Sequence, residues 1–181
     1  MSFSLQDFNA LLSTDKNKIG KVDDKLKNLI KKISKKLDYP FGFYNYNGRY
    51  SGYISKSNNK KTFFNFQINS EDLSVEFLIV DKNLILKFIN NVNLKILRSM
   101  KKLGDTEIAI WDKRRKVCKL YPEYLDNKTW KFLYAKVGSV NSPIFKFRKI
   151  YSRGEAIFQT NKLEANIINS IKQIEIFLKY L

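Results

Sequence analysis

The sequence predicts an α+β fold in which a largely antiparallel β-meander sheet is packed by an N-terminal basic helix, a central helix and a long C-terminal helix. Three features predict it. Apolar residues recur at helical spacing near both ends of the chain, the hydrophobic period changes to two between Pro40 and Ile89, and an Asn-Gly pair stands where two alternating runs meet. At 181 residues with 44% apolar content, the chain can bury a core of its own, so it should fold as one domain over 1–181 rather than stay disordered. Within that span, 1–38 reads as a helical N-terminal region, 39–121 as a sheet with a central helix, and 122–181 as a basic aromatic segment, a strand and the C-terminal helix.

The first long helix is expected over 22–37, where Val22, Leu26, Leu29, Ile30, Ile33 and Leu37 form one apolar stripe. Asp23 and Asp24 open it, Lys35 and Lys36 close it, and Pro40 stops it. Before it, Phe3, Leu5, Phe8, Leu11 and Leu12 suit a short extra helix, followed by a polar stretch from Ser13 to Lys18. Phe41 to Tyr46 and Arg49 to Ser55 flank Asn47-Gly48, the signature of a two-residue hairpin turn. The next strand puts Phe64, Phe66 and Ile68 on a buried face and Asn65, Gln67 and Asn69 on a wet one. Val75, Phe77 and Ile79 continue the meander, and Leu84, Leu86 and Phe88 read as a fifth strand after a turn at Asp81 to Asn83.

Helical spacing returns over 92–103 with Val92, Ile96, Leu97, Met100 and Leu103, and Gly104 stands at the C′ position. Thr106 to Asp112 and Lys116 to Tyr121 read as strands around a basic turn, 122–137 as an irregular or short helical segment, and Ile144 to Tyr151 as a strand. The last helix carries Leu163, Ile167, Ile171, Ile174, Leu178 and Leu181 at spacings of 4, 4, 3, 4 and 3, with Asn161 and Glu164 as a capping box. No apolar run approaches the ~20 residues that span a bilayer, and the first residues lack the pattern of a cleaved signal, so a cytoplasmic protein without membrane partners is expected.

Thirty-four Lys and Arg against 17 Asp and Glu leave a formal charge of +17. An A/T-rich genome raises Lys, here alongside abundant Asn, Ile and Phe, but codon bias does not remove acids to the same degree. The imbalance therefore points to a polyanionic partner. With no His and a single cysteine, Cys118, the chain lacks the commonest neutral-pH acid/base, the commonest zinc ligand and any intrachain disulfide.

Four groups carry the expected contacts. Lys31 and Lys35 belong to a lysine face on the first long helix that also holds Lys21, Lys25, Lys27, Lys32 and Lys36, and such a face neutralises phosphates at helical spacing. The hairpin brings Tyr46, Arg49 and Tyr50 to one tip among Tyr39, Phe41, Phe43, Tyr44 and Tyr53, rings on which unpaired bases stack. The turn Lys113, Arg114, Arg115, Lys116 could enter a groove, where Arg reads guanine bidentately. The segment Asn127 to Gly154 has no acid and holds Lys146, Arg148, Lys149 and Arg153. Lys146 and Arg148 share one face of its strand, whereas Phe145, Phe147, Lys149 and Tyr151 share the other.

The run Phe41-Gly42-Phe43-Tyr44-Asn45-Tyr46 partly resembles the aromatic strand motif of RRM and cold-shock domains. It departs where that motif has a basic residue and a glycine, here Tyr39 and Pro40, and it follows a helix, so neither family is assigned.

The resulting expectation is a non-catalytic nucleic-acid-binding module without cofactor or metal, duplex DNA favoured, compatible with a homodimer or a larger complex of restriction or mobile-element type. Two other readings compete with it. One is a small metal-dependent nuclease using Asp105, Glu107 and Asp112; against it, no Glu-x-Lys lies on any expected strand. The other is a structural or interaction protein whose charge reflects codon bias alone.

Overall fold

The structure, a computed structural model, describes residues 3–46, 49–56, 61–113 and 115–181; the side chains of Tyr46, Arg49, Tyr50 and Gln159 lie outside that description. Among the described residues, six α-helices and a seven-stranded antiparallel sheet make the fold α+β. The helices are α1 (Leu5–Ala10), α2 (Lys16–Leu37), α3 (Lys82–Asn91), α4 (Leu94–Ser99), α5 (Asn127–Gly138) and α6 (Leu163–Ile174). The strands are β1 (Phe41–Tyr46), β2 (Arg49–Ile54), β3 (Thr62–Ile68), β4 (Asp72–Ile79), β5 (Thr106–Asp112), β6 (Arg115–Leu120) and β7 (Pro143–Ser152), in the spatial order β1-β2-β3-β4-β7-β5-β6. The chain divides into two compact units, one formed by Met1–Val75 with Ile150–Asn169 and the other by Glu76–Lys149 with Ser170–Leu181. No described helix is long and apolar enough to cross a membrane.

In the first unit, α1 starts at a capping box between Ser4 and Asp7. Helix α2 begins at Asp15, whose side chain accepts from the Asn17 and Lys18 N–H groups, so it reaches six residues further back than its apolar stripe indicates. It ends at Asp38 in the left-handed region (φ 56°), just before Pro40. Val22, Leu26, Leu29, Ile30 and Ile33 are buried, as the stripe requires. Phe8 packs edge-on against Phe158 at 5.0 Å, which ties α1 to the C-terminal part of this unit. Strands β1 and β2 pair from Phe41↔Ile54 to Tyr46↔Arg49 around Asn47 and Gly48, which lie outside the described residues. On β3, Asn65 is not on a wet face as its alternation implies: it is buried and accepts a hydrogen bond from Tyr44 Oη at 2.6 Å.

The second unit contains the main departure from the sequence pattern. Leu84, Leu86 and Phe88 do not form a strand; they belong to α3, which Asp81 caps by accepting from the Leu84 N–H at 3.0 Å. The central helix expected over 92–103 is α4 followed by a 3₁₀ turn, Met100–Leu103, and the ambiguous segment after Pro122 is the twelve-residue α5. Strand β7 alternates as expected, with Pro143, Phe145, Phe147 and Lys149 buried and Ile144, Lys146 and Arg148 half-buried. Beyond Ile174 the last helix tightens to 3₁₀ over Glu175–Tyr180, so the next buried position is Phe177 rather than Leu178. The Phe177 ring then contacts Phe77, Phe88 and Phe147 at 5.9, 5.5 and 5.1 Å, closing the aromatic core of this unit.

Candidate nucleic-acid interface

On α2 the apolar stripe faces the sheet, which leaves lysines around the rest of the helix. They fall into two groups. Lys25 meets Asp7 at 2.7 Å, Lys27 meets Asp24 at 3.3 Å, and Lys36 meets Glu164 at 2.7 Å. Burial pushes the Asp7 carboxyl upward, but the hydrogen bonds from Lys25 and Ser4 outweigh it and hold the group below its ordinary value. By contrast Lys31, Lys32 and Lys35 are exposed and have no acidic partner among the described residues. The expected pair Lys31 and Lys35 thus belongs to the exposed lysines of α2 that no described acid reaches, although Lys36 beside them is paired with Glu164.

The hairpin places its rings unevenly. Tyr53 lies opposite Gly42, and a side chain built at Gly42 would meet the Tyr53 ring at 2.6–2.7 Å, so the absence of one lets the ring lie against β1. Tyr53 remains 37% exposed, and Phe63 meets it edge-on at 5.7 Å. Phe41 and Tyr44 are also exposed. The side chains of Tyr46, Arg49 and Tyr50 fall outside the described set, and so does the whole of Arg114. Arg153 is held at the turn after β7, where Nη1 stands 3.7 Å from Glu71 and 3.5 Å from the Ser70 carbonyl.

In the second unit the β5–β6 turn exposes Lys113 and Arg115. Lys113 has φ 52°, and its N–H reaches the Ser142 carbonyl, which ties the turn to the start of β7. The cations of β7 are not bare. Lys146 meets Glu76 at 3.1 Å, and Arg148 meets Glu76 at 2.8 Å and Glu107 at 2.9 Å. From β6, Lys119 meets Glu107 at 2.7 Å and Lys116 at 4.0 Å. The ammonium groups of Lys146 and Lys116 also stand 4.8 and 5.5 Å from the centre of the Trp111 ring. Both glutamates have only 2% of their side chains exposed. Burial pushes Glu107 upward; hydrogen bonds from Lys119 and Arg148, with the charges of Arg148 and Lys116, overcome it and hold the group below its ordinary value. The expected phosphate-facing pair Lys146 and Arg148 therefore spends its charge on acids from neighbouring strands. Lys149, 4% exposed, sits on the core side of β7 and is not a surface cation.

The three carboxylates of the nuclease reading do not converge. Glu107 and Asp112 are five residues apart on one strand, about 17 Å, and an odd separation sends them to opposite faces. Asp105 is exposed ahead of the strand, and Asp112 accepts from the Ser142 N–H at 3.3 Å. Among the described residues no group of three or more Cys, Asp or Glu could hold a metal ion. Cys118 is half-buried, and that burial pushes its thiol up.

No protein-family model matches the chain, and no curated protein matches it.

Proposed function

We propose that this protein is a non-catalytic nucleic-acid-binding module, with duplex DNA favoured, that grips phosphates through Lys31, Lys32 and Lys35 on α2 and through the cations of the β5–β6 turn. The observation that carries this reading is the division among the α2 lysines. Those near Asp7, Asp24 and Glu164 are paired, while Lys31, Lys32 and Lys35 keep an exposed charge that nothing described offsets. Lys31 and Lys35 are four residues apart, about 6 Å along the helix axis. That is close to two steps of ~3.4 Å, the axial spacing of the phosphates on one strand of a duplex.

The test is retardation of labelled duplex and single-stranded probes in gels of rising salt. Retardation of duplex at low salt, lost steeply as salt rises, supports the reading. Failure to retard any probe at the lowest salt overturns it.

A further inference from the structure

Two hollows in the second unit meet at Asn127, the first residue of α5. One, of about 330 Å³, is lined by Ile89, Asn90, Asn127, Trp130, Lys131 and Tyr134. The other, of about 570 Å³, has Asn93, Lys95, Arg98, Asp126, Asn127 and Lys128 around it. Both volumes lie within the ~300–1,000 Å³ common for small-molecule sites.

Their chemistries differ and complement each other. The first hollow offers rings and amides. Trp130 and Tyr134 stand one helical turn apart on α5, so they fall on the same stripe. Trp130 is buried, 8% exposed, and its indole N–H donates to the Ile89 carbonyl at 2.8 Å, which fixes that ring beneath the hollow; Tyr134 is 40% exposed. The Asn90 and Asn127 side chains are exposed and make no hydrogen bond among the described residues, leaving each amide a free acceptor and two free donors. The second hollow offers charge. Lys95, Arg98 and Lys128 are all exposed around it, and Arg98 is anchored through Nε on the Leu125 carbonyl. Its carboxylate, Asp126, is turned into α5, accepting from the Thr129 N–H at 2.7 Å and the Thr129 hydroxyl at 2.8 Å. Three cations against one committed carboxylate leave this hollow positive.

We infer that the second unit binds one nucleotide, its base stacked on Tyr134 beside the buried Trp130 with its edge on the Asn90 and Asn127 amides, and its phosphate among Lys95, Arg98 and Lys128. An acidic peptide would use the cations and leave the rings and amides idle, while an apolar ligand would strand the amides and the charge. A nucleotide uses all three. The ligand is either a free nucleotide or one unpaired nucleotide of a strand, and the second source rests on the nucleic-acid reading above.

The chain's two tryptophans are Trp111 and Trp130, so a Trp111→Phe protein reports on this hollow alone through its fluorescence. The probes are adenosine monophosphate, adenosine and a short single-stranded oligodeoxyadenylate. Quenching by the monophosphate supports a free-nucleotide site, and quenching by the oligonucleotide alone supports an unpaired nucleotide of a strand. In either case Tyr134→Ala should weaken binding at least about fivefold, the low end of what one stacked base contributes. Lys95→Ala with Lys128→Ala should weaken the phosphate-bearing probe and leave adenosine unchanged. Both sets are exposed, and an unchanged circular dichroism spectrum verifies the fold. No quenching by any probe, or a Tyr134→Ala protein that binds like its parent, overturns the site. Duplex retardation that depends on Lys31 and Lys35 would in that event leave the broader reading standing. Quenching without any retardation would uphold the site and remove the broader reading.

Discussion

Arg148 Nη1 stands 2.9 Å from Glu107 Oε1, in a place where the glutamate has lost nearly all contact with solvent. The same guanidinium reaches Glu76 at 2.8 Å, so one cation on β7 bridges carboxylates from the strands on either side of it. Each carboxylate also keeps a lysine, Glu76 with Lys146 at 3.1 Å and Glu107 with Lys119 at 2.7 Å, but the guanidinium is the cation they share, and without it two buried negative charges lose one partner each.

Removing the bridge should therefore be costly. Breaking one partner out of a buried ion pair costs about 3–5 kcal/mol, because the charge left behind stays desolvated. Arg148→Ala should lower the urea midpoint by an amount of that order, whereas Lys113→Ala, at an exposed turn, should shift it by less than about 0.5 kcal/mol. Equal midpoints for the two variants would contradict the bridging role.

The same network sets a pH dependence. Glu107 and Asp7 are both held below their ordinary values of 4.5 and 3.8. A carboxyl whose folded value is depressed contributes stability that is complete above the unfolded value and is lost as pH falls through the folded one. Unfolding free energy should thus be level near neutrality and fall in acid below about pH 4.5. Glu107→Gln should flatten that acid limb, as read from urea curves at a series of pH values; an unchanged limb would mean that Glu107 does not carry it.

At the C-terminal end the 3₁₀ turn moves the buried side chain by one position. Phe177→Ala should destabilise by about 3–5 kcal/mol, since its ring fills the space among Phe77, Phe88 and Phe147. Leu178→Ala, at a half-buried position, should cost well under half of that. A continued α-helix would reverse the ranking in thermal unfolding.

What could be read from the sequence was what local spacing determines. The α2 stripe, the pairing of the strands either side of Asn47-Gly48 and the alternation of β7 depend on neighbours within a few residues, and the structure has the stripe, the β1–β2 pair and the alternation. The run from Leu84 to Ile89 misled because its apolar residues fit a period of two as well as one of 3.6. The deciding signal was Asp81, three residues before Leu84, which caps a helix and has no such role in a strand. Asp126 and Thr129 marked the start of α5 in the same way. The pairing of Lys146 and Arg148 is hidden from local spacing for a different reason. Their segment has no acid of its own, but Glu76 and Glu107 arrive from strands about 40 to 70 residues away, and sheet order is not visible in local spacing. The hollows that meet at Asn127 were likewise invisible, since α3, α4 and α5 come together only in the folded chain.

Whether unpaired cations of α2 meet phosphates is decided by the salt dependence of duplex affinity in two charge-matched variants of that helix. Lys31→Gln with Lys35→Gln removes two unpaired lysines, and Lys27→Gln with Lys36→Gln removes two that face carboxylates. Each phosphate contact contributes about 0.9 to the slope of log affinity against log salt. The first variant should flatten that slope by about 1.8 and the second by much less. Equal slopes in the two variants would contradict the claim, because the charge of the helix would then act as a diffuse field without defined contacts.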